Sequence, residues 1–169
     1  MKPQLLIPNF ISSMRVATLP LFIALFSFEN AAVCLALLVF SAATDYFDGY
    51  YARKMAATSK FGAYFDAATD FALTAGIFAL FTLNGIYPIW LVILIAAHFA
   101  QFIVTSFFSK KLYDPIGRYM GSALYIGMAL TLLLPTQATY LFVQYAFLGF
   151  FLVSLASRVI SLGRRNTKN

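Results

Sequence analysis

The chain has 169 residues, 62% of them hydrophobic and 11% charged, with a net charge of +6. A soluble domain carries about 25% charged residues, so this composition excludes an ordinary water-soluble globule and makes lipid the expected solvent for most of the surface. The length allows one domain, residues 1–169, and the basic excess of so apolar a chain points to a cytoplasmic membrane face and to anionic lipid or phosphate rather than nucleic acid.

A membrane-crossing helix takes about 20 mostly apolar residues, and six stretches fit. The first covers about residues 9–28; Pro20 lies inside it, where a kink is tolerable in a membrane helix. Arg15 interrupts the run and no A-x-A site follows, so this span is expected to be retained rather than cleaved. Glu29-Asn30 separates it from the second, about residues 31–51, which holds the lone Cys34 as a small hydrophobe. The third covers about residues 61–83 and is broken from the fourth, about residues 87–108, by Asn84-Gly85 and Pro88. Tyr87 and Trp90 are expected in an aromatic belt at the outer interface. His98 and Gln101 sit at i,i+3 and are expected to be interhelical hydrogen-bonding groups rather than ligands. Asp114-Pro115 precedes the fifth span, about residues 117–134, where Gly117 and Gly121 form a G-x-x-x-G pattern suited to helix packing within or between subunits. Pro135-Thr136 ends it, and the sixth covers about residues 139–162. The expected fold is an all-α membrane protein of six transmembrane helices.

Basic residues set the orientation. Lys2 precedes span one, Arg53, Lys54 and Lys60 lie between spans two and three, Lys110, Lys111 and Arg118 between four and five, and Arg164, Arg165 and Lys168 after six. The other three connections carry no Lys or Arg, which places both termini in the cytoplasm of a multi-pass plasma-membrane protein.

Of six acidic residues, four are Asp45, Asp48, Asp66 and Asp70. A carboxylate at the centre of a membrane helix costs about 2.5–3.5 kcal/mol on insertion scales, so these four belong near the surface, in a wet cavity, or neutralised. Asp45 and Asp48 are spaced i,i+3, and Asp66 and Asp70 i,i+4, so each pair shares a helix face. Two such pairs on antiparallel neighbours make a four-carboxylate cup. Like charges so close repel. Two divalent cations would balance them, and hard oxygen ligands suit Mg²⁺ or Mn²⁺. Gly49 and Gly62 leave room for a bulky ligand beside the carboxylates, Ala52 shares the face of Asp48, and Arg53 can fork onto phosphate oxygens. A different class, a non-enzymatic cation-binding membrane transporter, would also want acidic helices. It would place them nearer the midplane and would have no need of Gly49, Ala52, Arg53 and Gly62 at these offsets.

The stretch from Asp45 through Asp48, Gly49, Ala52 and Arg53, then eight residues to Gly62, Asp66 and Asp70, resembles the signature of the CDP-alcohol phosphatidyltransferase family. That signature is D-x2-D-G-x2-A-R-x8-G-x3-D-x3-D, and all eight of its fixed positions match. The opening Ile7-Pro8-Asn9-Phe10-Ile11-Ser12 with Arg15 is similar to the start of the phosphatidylglycerophosphate synthase-like members. The resemblance implies an enzyme of phospholipid biosynthesis that transfers a phosphatidyl group from CDP-diacylglycerol or a similar CDP-linked lipid to a small alcohol, releasing CMP. It implies Asp45, Asp48 and Asp66 as metal ligands. Asp70 is implied as general base and possible further ligand. Gly49, Ala52, Arg53 and Gly62, with Asn9, are implied to line the CDP site. It also implies a homodimer.

For the acceptor, Arg118, Arg158, Lys110 and Lys111 could form a basic pocket favouring a phosphorylated alcohol such as glycerol 3-phosphate, with inositol phosphate or another alcohol as the alternative. The same charges also serve as topology signals. Phosphatidylglycerophosphate synthases carry a D-P-x-x-D-K pattern, whereas Ala67 and Phe71 replace its Pro and Lys here. This departure leaves the acceptor open without touching the general chemistry.

Overall fold

The computed structural model describes residues 17–26, 30–54, 60–109 and 119–166, with side chains described for 17–26, 30–44, 64–65, 67–104 and 119–157. The described residues are helical and contain no strand. In chain order the helices are α1 (Ala17–Phe26), α2 (Ala31–Lys54), α3 (Lys60–Leu83), α4 (Ile89–Ser109), α5 (Met120–Leu133) and α6 (Gln137–Asn166). They fall into two compact units, Met1–Leu83 with α1 to α3 and Asn84–Asn169 with α4 to α6.

Polar punctuation starts and stops these helices. Asn30 caps α2, its Oδ1 accepting the Val33 amide at 3.4 Å. After α3 the chain turns through Gly85, whose φ of 74° is a left-handed conformation that a Cβ would strain. Thr136 caps α6, its Oγ1 accepting the Thr139 amide at 3.3 Å. Pro20 lies within helical α1.

In the first unit aromatic side chains fill the interior. Phe81 meets Phe26 at 5.5 Å, Phe78 at 6.0 Å and Phe22 at 6.3 Å between ring centroids. Such pairs contribute about 0.5–1.5 kcal/mol each beyond the area they bury. Leu19 of α1 lies against Gly76 of α3, where a Cβ would come within 2.6 Å of its Cδ2. Cys34 is fully buried.

In the second unit Leu91 and Ile95 of α4, Leu124 and Met128 of α5, and Val143 and Phe147 of α6 form the core. Phe147 packs over Gly127, so α5 and α6 approach where α5 has no side chain. His98 meets another helix through its ring, edge-on to Phe151 of α6 at 6.2 Å. Tyr87 departs from the expected interfacial belt. It is 3% exposed, donates to or accepts from Thr131 Oγ1 at 2.6 Å, and packs against Tyr140, whereas Trp90 is exposed. Gly121 faces open space, so among the described residues the G-x-x-x-G pattern packs no helix of this chain at that position.

The exterior is apolar. Val39, Phe40, Ile93, Ile126, Phe142, Tyr145, Leu152 and Val153 are all more than half exposed. Among the described residues one stretch, Gln137–Ser157, is long and apolar enough to cross a membrane, against the six expected. Ala31–Thr44, Ala67–Leu83, Ile89–Val104 and Met120–Leu133 are apolar but shorter. Helices α2 and α3 each run for 24 residues, about 36 Å.

Candidate active site

The candidate site residues fall on two helices consecutive in sequence, in the C-terminal half of α2 and the N-terminal half of α3. Asp45, Asp48, Gly49, Ala52 and Arg53 all lie in α2, and Gly62, Asp66 and Asp70 in α3. Continuous helix through both segments gives each aspartate pair the one-turn spacing that the sequence implied.

Helical register extends from these positions into the described interior. On α2, Cys34, Leu38 and Ser41 recur at steps of four and three and are all buried, Ser41 to 1% exposure. The next steps of four and three along that stripe are positions 45 and 48. On α3, Thr74 is 2% exposed and lies one turn beyond Asp70, which lies one turn beyond Asp66. Positions 45 and 48 on α2, and Asp66 and Asp70 on α3, are therefore in helical register with Ser41 and Thr74, which are buried.

Each stripe changes from apolar to polar at the same step. Deeper than Thr74, α3 buries Ile77, Phe78 and Phe81; deeper than Ser41, α2 buries Leu38 and Cys34. At the change, Thr74 Oγ1 donates to the Asp70 carbonyl at 2.8 Å, with a second carbonyl, that of Phe71, at 3.3 Å. Thr44 Oγ1 donates to the Ser41 carbonyl at 2.7 Å. Asp70 is itself half-buried and flanked by the buried Thr69.

The remaining expected site residues are placed only in part. The side chains of Asp45, Asp48, Gly49, Ala52, Arg53, Gly62 and Asp66 lie outside the described residues, as does that of Arg158 in α6. Asn9, Lys110, Lys111 and Arg118 lie outside them altogether. Among the described residues no three His, Cys, Asp or Glu side chains gather into a metal-binding group. Only Asp70 of the four aspartates has a described side chain, so the quartet itself stands on helical register and donor chemistry. Four carboxylates on two helices, all oxygen donors, fit hard divalent cations such as Mg²⁺ or Mn²⁺. Thr44 and Thr74 escaped the reading of the sequence; their signal was position, next to Asp45 and one turn from Asp70.

The family model for CDP-alcohol phosphatidyltransferases matches residues 5–162. The chain belongs to that family. Among its curated relatives is a CDP-diacylglycerol–glycerol-3-phosphate 3-phosphatidyltransferase of Yersinia enterocolitica, 37% identical over 97 residues, which cover 56% of this chain and 52% of the relative. Enzymes of the same name from Sodalis glossinidius and Pectobacterium atrosepticum are 40% identical over 75 residues and 35% identical over 97. The Sodalis match covers 43% of this chain and 41% of the relative, the Pectobacterium match 56% and 52%. The chain spans about half the length of the curated relatives it matches. Membership in this family is consistent with the complete signature from Asp45 to Asp70.

Proposed function

We propose that this chain is a metal-dependent phosphatidyltransferase that joins a CDP-linked lipid to a small phosphorylated alcohol, glycerol 3-phosphate first among them, and releases CMP. The observation that carries the reading is the pair of buried stripes on α2 and α3 that lead, turn by turn, to the four aspartates of a complete family signature. The names of the relatives support glycerol 3-phosphate as the acceptor.

In this reading the whole chain is one membrane domain of six spans, with both termini and the site at the cytoplasmic side of the plasma membrane. The lengths of α2, α3 and α6 exceed the roughly 30 Å hydrocarbon thickness, and the basic connections all fall on one side. A site at that depth admits a soluble alcohol and nucleotide while lipid tails stay in the bilayer. A homodimer is part of the proposal.

The chemistry follows from the residues. Gly49, Ala52 and Gly62 leave space for the CDP moiety, with Asn9 beside it, and Arg53 donates to phosphate oxygens. Asp70 accepts the proton of the acceptor hydroxyl as that oxygen bonds to the lipid-side phosphorus. The bridging P–O bond breaks, and its electron pair leaves with CMP. Divalent cations, when held by Asp45, Asp48, Asp66 and Asp70, supply positive charge against the pyrophosphate and the departing nucleotide. Arg118, Arg158, Lys110 and Lys111 are proposed to receive the acceptor phosphate.

The transporter alternative fares worse on packing. A conduction path needs polar or water-lined space beyond the carboxylates. Here the stripes run instead into Leu38, Ile77, Phe78 and Phe81, all buried and apolar.

The test is CMP release by purified chain from CDP-diacylglycerol and CDP-archaeol, with Mg²⁺ or Mn²⁺, across glycerol 3-phosphate, inositol phosphate, inositol and serine. Release that needs both metal and glycerol 3-phosphate supports the proposal. Release with inositol phosphate alone transfers the acceptor assignment. Silence across all pairs contradicts the enzyme reading.

A further inference from the structure

We propose that Thr74 and Thr44 are positioning residues that set the backbone at the two inner carboxylates, Asp70 and Asp45, and so tune how the quartet holds divalent cations. The inference rests on the phosphatidyltransferase reading for its link to catalysis, but its structural part stands separately.

In a regular helix the Asp70 carbonyl accepts the amide four residues on, that of Thr74. Here it also accepts the Thr74 hydroxyl, at 2.8 Å. A hydroxyl bonded back to the i−4 carbonyl bends the helix slightly at that point. In α3 such a bend would fall at Asp70. A related bond, to the i−3 carbonyl, occurs on α2: the Ser41 carbonyl, the ladder partner of the Asp45 amide, also accepts Thr44 Oγ1 at 2.7 Å. Each inner aspartate is thus joined through its own backbone to a carbonyl shared with a threonine hydroxyl.

Threonine back-bonds occur elsewhere, from Thr82 to Phe78 and from Thr131 to Gly127, so the bond by itself carries no role. What separates Thr44 and Thr74 is their place. Thr74, 2% exposed, stands on the buried stripe of α3 one turn from Asp70, and the half-buried Thr44 stands beside the stripe of α2, next to Asp45. A shared carbonyl there shifts the stem on which a carboxylate is carried. Ligand sets for small divalent ions tolerate little displacement, since Mg²⁺ demands near-ideal octahedral geometry.

The test compares wild type with Thr74→Val, Thr74→Ala and Thr74→Ser, and Thr44→Val alongside, in detergent or nanodiscs. Two quantities are read: the Mn²⁺ dissociation constant by titration, and kcat with its metal dependence for CMP release. Thr74→Val keeps the shape and loses the hydroxyl. It is expected to weaken Mn²⁺ binding by about 3- to 10-fold and to lower kcat while leaving the KM for CDP-diacylglycerol within about twofold, as for partners that orient ligands. Thr74→Ser restores the donor and should return both toward wild type. Thr74→Ala gives the same reading if the valine variant does not fold. A hydroxyl-free variant that melts earlier yet binds Mn²⁺ as wild type does would overturn the inference. So would a wild type that binds no Mn²⁺. Weaker Mn²⁺ binding in Thr74→Val, together with a wild type that releases no CMP, would keep the positioning role and remove the phosphatidyltransferase reading. Wild-type CMP release with unchanged constants in the variant would do the reverse.

Discussion

The Tyr87 hydroxyl lies 2.6 Å from Thr131 Oγ1, tying the turn before α4 to the buried face of α5. Thr131 has one proton to give and directs it to the Gly127 carbonyl at 2.7 Å, so Tyr87 is the donor in this pair. Tyr87→Phe leaves the threonine oxygen buried without that donor, at an expected cost of about 1–3 kcal/mol. Thermal unfolding of the detergent-solubilised protein should show a lower Tm, with CMP release per folded molecule retained. An unchanged Tm would mean the contact adds nothing.

Gly127 and Gly149 make opposite predictions. A Cβ on Gly127 would lie 2.7 Å from Cζ of Phe147 and 3.3 Å from Cγ1 of Val143, whereas one on Gly149 meets nothing within 4 Å. Gly127→Ala should therefore push α5 from α6 and destabilise by about 1–3 kcal/mol. Gly149→Ala should be neutral or stabilising by up to about 1 kcal/mol through helix propensity. Parallel denaturation curves decide this, and equal shifts for the two variants would refute the packing account.

Gly85 tests backbone strain without any packing change. Its φ of 74° is left-handed and its Cβ position is open, so Gly85→Ala isolates the conformational term. The expected loss is about 1–2 kcal/mol. A variant as stable as wild type would show that the turn relaxes freely.

Asp70→Asn removes the proposed proton acceptor and one negative charge from the quartet. CMP release should fall by about 10²–10⁴-fold while far-UV circular dichroism stays native. Turnover at the wild-type rate would take Asp70 out of its assigned role.

Much of this was readable in the residues. Asn30 and Asn84-Gly85 bound long apolar runs, so α2 and α3 lie within a few residues of the expected 31–51 and 61–83. The fourth helix begins at Ile89 rather than 87, because Pro88 stands before it and Tyr87 is used in the turn. What stayed hidden is which face is inside. These helices are apolar all round, so nothing in the pattern separates a lipid-facing aromatic from a buried one, and Tyr87 and Trp90 looked alike. Among the described residues Gly121 faces open space and a close helix approach is made at Gly127, whose signal was Ala123 one turn earlier. For the site, the aspartate spacing showed which positions share a helix face. The hydroxyls of Thr74, buried, and Thr44, half-buried, were invisible, because a threonine in an apolar run reads as filler until its neighbours are known.

The account depends on the carboxylates of Asp45, Asp48, Asp66 and Asp70 converging on shared divalent ions. A diffraction experiment on crystals grown with Mn²⁺, collected at the manganese absorption edge, tests this directly. Anomalous density enclosed by those four side chains is the predicted result. Manganese peaks elsewhere, or oxygens turned away from one another with none between them, would contradict it.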